Sequence, residues 1–145
     1  MILTTSALFW IVPAFATLGE DVSTVRADQV RIQATETITR KSAYTVHELQ
    51  SASGVAVREY VSSAGKVFAV AWHGPTMPDL KQLLGSHFQE YQQALQAQGQ
   101  RARRGPIFVE LPNLVIHLGG HMRDFVGHAY LPDQMPSGVR AEEIR

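Results

Sequence analysis

The chain has 145 residues, in which 13 basic and 13 acidic side chains balance and cysteine is absent. The balanced charge argues against a nucleic-acid-binding protein, because such proteins are usually strongly basic. Without cysteine the chain has no disulfides, no cysteine-ligated zinc or iron–sulfur site and no thiol nucleophile, so its hydrophobic core alone must stabilise the fold.

The N-terminal residues contain an apolar run, from Ala7 to Ala16, that ends in the small-x-small sequence Ala-Phe-Ala. This pattern is typical of a secretory signal peptide and its cleavage site, although no Lys or Arg precedes the run. The run is too short for a transmembrane helix, which needs about 20 apolar residues. We therefore expect residues 1–16 to be removed and residues 17–145 to form one exported domain, periplasmic or secreted, without a membrane span. The alternative is a buried N-terminal helix.

The next elements are a helix and a β-meander. The segment Glu20–Glu36 has helical composition, with Asp21 in position to cap its first turn, and predicts a surface helix. A polar linker, residues 37–42, follows. Between Tyr44 and Trp72, two tetrads of small residues separate three runs rich in Val, Tyr and Phe, which predicts three antiparallel strands.

The second turn of this meander decides which side chains share a face. A two-residue turn at Ala64-Gly65 pairs Val57 with Trp72 and separates the apolar from the polar side chains. An even-length first turn then assigns the first strand. The apolar face is predicted to carry Tyr44, Val46, Glu48, Val55, Val57, Glu59, Val61, Phe68, Val70 and Trp72, and the other face His47, Leu49, Ala56, Arg58, Tyr60, Val67, Ala69 and Ala71.

The clearest helix runs from Leu80 to Leu95, where apolar side chains and one His recur at the helical period. We expect Thr76 to cap it, Gly99 to end it, and its apolar stripe to pack on the apolar face of the sheet. The basic segment Arg101–Arg104 is interpreted as a solvated loop or, alternatively, as a contact for an anionic lipid headgroup, a polysaccharide or a partner.

Strand patterns return towards the C-terminus. Ile107–Leu111 predicts one strand, and Asn113–Leu118 and His121–Tyr130 predict a hairpin that turns at Gly119-Gly120. The fold class is therefore α+β. We expect an antiparallel sheet of five to six strands, meander plus C-terminal hairpin, with the amphipathic helix packed on one face and the N-terminal helix at its side.

Glu59 stands out because the predicted register places it among apolar side chains. A buried carboxylate must be paired or neutral, and a neutral one is a good general acid. The turn at Gly119-Gly120 places His121 and Arg123 on the apolar face of the hairpin, where they are natural partners. Glu59, His121 and Arg123 are thus a candidate catalytic set. A structural ion pair, or an edge position at which Glu59 reaches water, is the plainer interpretation.

A second candidate set lies on the opposite face of the hairpin. Alternation places His117, Asp124 and His128 together there, and two imidazoles with one carboxylate are a plausible ligand set for a transition metal. The alternative is a solvent-facing polar stripe. The sequence contains no Gly-x-Ser-x-Gly, His-Glu-x-x-His or phosphate-loop motif, and we predict no cofactor.

Short segments spread over most of the chain are similar to one known family. The segments are Tyr44–Glu48, Val57–Val61, Val67–Trp72, Gly74-Pro75, Pro78–Leu80, Leu83–Gly85, Gly120–Arg123 and Gly127–Tyr130. They resemble domain-of-unknown-function family 2844, which comprises small exported proteobacterial proteins. The resemblance implies an exported bacterial protein with a single domain, and it implies no activity.

These patterns favour a non-catalytic periplasmic or secreted module that binds a partner protein or a component of the cell envelope. The alternative is a small hydrolase or a metal-dependent enzyme that uses one of the two residue sets. A solvent-reachable cleft at Glu59 would favour the enzyme. A sealed pair of Glu59 and Arg123, with a separate exposed apolar patch, would favour the binding module.

Overall fold

The computed structural model describes residues 17–23, 34–99 and 105–145. The strands are β1 (Thr35–Arg40), β2 (Tyr44–Gln50), β3 (Ala56–Ser62), β4 (Val67–Gly74), β5 (Ile107–Glu110), β6 (Val115–His121) and β7 (Asp124–Tyr130). They form one antiparallel sheet with the order β1-β2-β3-β4-β7-β6-β5. Helices α1 (Leu80–Leu84) and α2 (Phe88–Gln98) pack on one face, which we call the helix side; the other face is the distal side. The predicted α+β class is confirmed.

Strand β1 makes the sheet seven-stranded, where the sequence predicts five to six strands. All six of its residues pair with β2. The sequence instead predicts the end of a helix and a polar linker there. Its Thr residues alternate with Glu36, Ile38 and Arg40, so the strand contains one large apolar side chain and its hydrophobic signal is weak.

The predicted N-terminal helix, Glu20–Glu36, is not matched where the structure describes it. At its start Asp21 forms an antiparallel bridge with Lys66, and at its end Thr35–Glu36 belongs to β1. Residues 24–33 between them lie outside the described residues, as does the predicted signal peptide. The strand at the end of the segment therefore corrects the predicted helix boundary.

The register of the meander follows the prediction at one end and departs from it at the other. Val57 pairs with Trp72, as predicted. Nearer the turn a β-bulge shifts the register by one residue, so that Val61 pairs with Val67 and the turn is one residue longer than predicted. The shift places Val67 in the core on the helix side and Phe68 in the core on the distal side, the reverse of the predicted faces.

The first strand of the meander is also rotated relative to its predicted orientation. Leu49 pairs with Val57, so the connecting loop has an odd number of residues where the sequence predicts an even number. Because a one-residue shift exchanges the two faces of a strand, Tyr44, Val46 and Glu48 lie on the distal side.

The helices pack on the sheet as the apolar stripe predicts. Leu83, Leu84 and Tyr91 are buried against a core that includes Val70 and Trp72. None of the helices in the described part of the chain is long enough and apolar enough to span a membrane.

The ends of the helical segment differ in part from the prediction. Asp79, rather than Thr76, caps α1. Its carboxylate accepts hydrogen bonds from the main-chain N–H groups of Lys81 and Gln82, at 2.9 and 3.3 Å. The predicted continuous helix is broken at Gly85, which has φ 52° and packs so closely on Thr17 that a Cβ there would collide with it. Gly99 ends α2 as predicted. The basic segment that follows lies outside the described residues.

The C-terminal hairpin turns later than predicted. His121 pairs with Asp124, so the turn is Met122-Arg123, while Gly119-Gly120 continues β6. The second glycine is required inside the strand, because a Cβ there would collide with the carbonyl group of Asp124. His121 consequently lies on the distal side, opposite to the side predicted.

A second core lies on the distal side of β2–β4. The C-terminal residues 132–145 cross these strands and bury Ile144 against Tyr44, Tyr60 and Phe68. This segment covers the central part of the distal side and determines where the rest of it is open.

Candidate binding face

The distal side of β5, β6 and β7 carries a row of aromatic and imidazole rings. Phe108, His117 and His128 occupy adjacent positions across these strands, and successive ring centroids are 4.9 Å apart in both pairs. Tyr130 stacks on His128, with centroids 6.4 Å apart and 18° between the ring planes. These four rings and the neighbouring Val126 form what we call the imidazole face.

The imidazole face is open to solvent at its apolar members. Phe108 is 55% exposed and Val126 is 47% exposed. Gly119, which pairs with Val126, adds open floor to the face: within the described residues no atom lies within 4 Å of a Cβ built there. A flat ligand can therefore reach Phe108 and Val126 from solvent.

The face presents hydrogen-bonding groups rather than a strong charge. Glu110 Oε1 lies 3.1 Å from His117 Nε2. Burial, with a smaller effect of His117, lowers the pKa of His128, so this imidazole is neutral near pH 7 and offers one donor and one acceptor nitrogen. Burial first, and then Glu110 and Glu142, raise the pKa of Tyr130, which keeps its hydroxyl protonated.

The predicted metal ligands His117, Asp124 and His128 are only partly brought together. The two imidazoles are in contact. Asp124, however, lies four residues before His128 in β7, which is about 13 Å in an extended strand. Its Oδ1 instead lies 2.7 Å from His73 Nε2. In the part of the chain that the structure describes, no three His, Asp or Glu side chains are arranged to hold a metal ion.

The predicted catalytic set Glu59, His121 and Arg123 does not converge. Glu59 is on the helix side and fully buried, with an exposed fraction of 0%. Arg123 lies in the exposed β6–β7 turn, roughly 15 Å or more along the sheet by strand geometry, and His121 is on the distal side. Glu59 does have an interaction partner, and the residue directly opposite it in β2 is His47.

A polar pair that the sequence did not predict lies next to Glu59. His47 Nδ1 is 2.7 Å from Glu36 Oε1, and the two side chains are only 13% and 10% exposed. Both line a groove of about 700 Å³ on the helix side of β1–β3. Sequence patterns miss Glu36 because they predict helix there. The alternation of Thr with Glu36, Ile38 and Arg40 is the signal that indicates a strand.

A comparison with known proteins identifies the family but no closer relative. The sequence profile of the family described as "Protein of unknown function (DUF2844)" matches residues 14–144. The chain belongs to this family. Every candidate residue above lies within the matched range. No curated protein and no solved structure matches the chain.

Sequence reasoning finds the imidazole face of this DUF2844 protein except for its member on β5. It identifies His117 and His128 as residues on one face, and register confirms that they are neighbours. It misses Phe108, because a short strand with one exposed phenylalanine gives no functional signal. The pairing of β5 with β6, which sets Phe108 beside His117, is what makes the row visible.

Proposed function

We propose that this DUF2844 protein is a non-catalytic binding module of the bacterial cell envelope, periplasmic or secreted, whose imidazole face binds envelope polysaccharide. The supporting observation is that two large apolar side chains, Phe108 and Val126, are about half exposed beside a row of rings. Exposed apolar patches of this kind often mark binding surfaces. Glu59, in contrast, is sealed from solvent and cannot meet a substrate in this conformation.

The chemistry of the face suits a carbohydrate better than a protein partner. A sugar ring has an apolar C–H face, which packs on aromatic rings, and hydroxyl groups, which hydrogen-bond with imidazole nitrogens, the Tyr130 hydroxyl and the Glu110 carboxylate. A stable protein interface buries about 800 Å² on each partner around an apolar centre. Only Phe108 and Val126 are large exposed apolar side chains on the described part of this face.

Titration of isotope-labelled protein with solubilised peptidoglycan glycan fragments tests the proposal by NMR. We expect amide shifts confined to β5–β7, and a loss of affinity of about fivefold to tenfold for Phe108→Ser, because one ring contact contributes about 1 kcal/mol. The matched control is Ile38→Ser, another half-exposed apolar side chain that lies on the helix side of β1; its affinity should equal that of the wild type.

Two outcomes would contradict the proposal. One is equal glycan affinity for Phe108→Ser and the wild type, or shifts that map away from β5–β7. The other comes from binding to whole cell-wall preparations. Binding that survives digestion of the glycan strands but is lost after protease treatment would identify a protein as the partner and overturn the choice of polysaccharide.

Export is the second part of the proposal and rests on the apolar run from Ala7 to Ala16 with its small-x-small ending. N-terminal sequencing of protein recovered from the periplasm or the medium should give Thr17 as the first residue. Recovery of protein that still begins with Met1 would contradict cleavage.

The alternative function is a small hydrolase or a metal-dependent enzyme, and the contact between His117 and His128 is the observation that favours it. Two imidazoles are a partial ligand set for zinc or copper. Glu110 lies close to His117, but no three His, Asp or Glu side chains among the described residues are arranged to hold a metal ion, so we expect saturating zinc to leave the melting temperature unchanged. A zinc-dependent rise that His128→Phe abolishes would favour the metal-dependent enzyme.

A further inference from the structure

We propose that the groove on the helix side of β1–β3 binds a small amphipathic organic acid. The groove has a volume of about 700 Å³ and is bounded by these strands and by Val22. This size falls within the range of small-molecule sites, which are about 300–1,000 Å³. The site lies on the opposite side of the sheet from the imidazole face, so it is independent of the polysaccharide proposal.

Three apolar side chains line the groove. They are Val22, Ile38 and Val61, and Ile38 is 48% exposed even though it points to the helix side of the sheet. An aliphatic or aromatic ligand tail that covers these side chains would remove apolar surface from water, which stabilises the complex by roughly 25 cal/mol per Å². The tail of the ligand is therefore apolar.

The end of the groove where Val61 lies also carries hydrogen-bond donors and one cation. Arg40 pairs with Thr45 at the end of β1, and both line the groove together with Ser62. Within the described ranges Arg40 forms no ion pair, so its guanidinium is available to a ligand. A guanidinium beside hydroxyl groups recognises a carboxylate by charge-assisted hydrogen bonds. The head group of the ligand is therefore an acid.

The Glu36–His47 pair supplies a fixed polar contact further along β1 and β2, away from Arg40. Nδ1 of His47 is occupied by Glu36, which holds the imidazole in one orientation and leaves Nε2 for another partner. A carboxylate that fixes one ring nitrogen also determines the hydrogen-bonding role of the other. Because both side chains are nearly buried, this contact is pre-organised and needs little ordering when a ligand binds.

An NMR titration with octanoate tests the proposal, with octylamine as the probe of opposite charge. Octanoate should give saturable shifts at the amide groups of Ile38, Thr45 and Val61. Arg40→Gln should weaken its binding by about tenfold, because it removes a charge-assisted hydrogen bond. Ser63→Trp, in the exposed turn at the groove, should block binding while the spectrum of the helix-side core stays unchanged. Phe108→Ser should bind octanoate like the wild type.

Three results would overturn the proposal. The first is octanoate shifts confined to β5–β7, which would assign the apolar contact to the imidazole face. The second is equal octanoate affinity for Arg40→Gln and the wild type. The third is tighter binding of octylamine than of octanoate, which would mean that Glu36 rather than Arg40 sets the charge preference. None of these results bears on whether glycan fragments bind the imidazole face.

Discussion

Strands β3 and β4 are buried on both sides, whereas β6 and β7 are buried on one side only. In β4 every residue except His73 is buried, and its sequence from Val67 to Trp72 is a continuous apolar run. In β7 buried and accessible residues alternate. On the helix side both pairs of strands contribute side chains to the main core. The difference therefore comes from the distal side, where the C-terminal segment covers one half.

The C-terminal segment determines whether similar side chains form a core or face solvent. On the covered half, Tyr44, Tyr60 and Phe68 have ring centroids about 6 Å apart and form a core. Arg58 donates from Nε to Glu48 Oε2 at 2.6 Å and from Nη1 to the main-chain oxygen of Arg145 at 2.7 Å, so its guanidinium is bound within the fold. On the open half, rings at similar spacing face solvent. Aromatic residues thus indicate a binding surface only where no segment covers them.

The largest expected effect compares one phenylalanine from each half. Phe68→Ala should lower the free energy of unfolding by about 3–5 kcal/mol, because Phe68 is fully buried and its removal leaves a cavity. Phe108→Ala should change it by less than about 0.5 kcal/mol, because Phe108 lies at the surface. Urea denaturation measures both values. Similar losses of unfolding free energy for the two variants would show that the two halves of the distal side are equally buried.

The sequence predicts those features of the fold that depend on local patterns of apolar residues. Periodicity identifies the helical stripe, and alternation identifies the meander and the pairing of Val57 with Trp72. Alternation fails where one extra residue changes the side of the sheet that a side chain faces. The β-bulge places Val67 and Phe68 on the sides opposite to those predicted, and the loop before β3, which has an odd number of residues, does the same for Tyr44. Such shifts cost little energy locally, and only packing against other elements decides them.

The candidate site is harder to predict than the fold, because it depends on neighbours from distant strands. His117 and His128 share a face by alternation alone. Phe108 joins them only through the pairing of β5 with β6, and Glu36 meets His47 only because β1 is a strand. The most misleading local signal is Gly119-Gly120, which predicts a turn but lies within β6. There Gly120 packs closely against Asp124, and Gly119 leaves the surface open.

Glycines give the second test, because they compare the covered helix side of β6 and β7 with their open distal side. A Cβ at Gly127 would lie 2.7 Å from Cε2 of the buried Trp72 and 2.9 Å from the carbonyl oxygen of His117, so Gly127→Ala should destabilise the fold by about 1–3 kcal/mol. Gly119→Ala meets open space and should stabilise it by up to about 1 kcal/mol, by restricting the unfolded chain. Thermal and urea denaturation of both variants measure the contrast. Equal destabilisation would mean that the open half is covered after all.

A buried carboxylate and an exposed one give a third, smaller contrast. Glu59→Gln should destabilise the protein by about 1–3 kcal/mol, because Glu59 is fully buried with an interaction partner and the substitution disturbs a buried polar contact. Asp124→Asn is the control, since its pairing with His73 is exposed and should contribute less than about 1 kcal/mol. An effect of Glu59→Gln within about 0.5 kcal/mol would be that of a surface residue and would contradict its structural role.

The smallest expected effect concerns pH and the open half alone. Burial, and to a lesser extent His117, lowers the pKa of His128 from its ordinary value of 6.5. Below pH 6.5 the unfolded chain therefore binds a proton that the folded protein resists, so this imidazole makes the free energy of unfolding fall as the pH decreases through that range.

His128→Phe keeps a ring beside His117 and removes the titration. Urea denaturation at about pH 8 and about pH 5 should give a smaller pH-dependent loss for His128→Phe than for the wild type. His121→Phe, in the exposed end of the same hairpin, is the matched control and should retain the loss of the wild type. An identical pH dependence in the wild type and His128→Phe would mean that His128 is as well solvated as an exposed histidine, and the row of rings would then be looser than the ring contacts indicate.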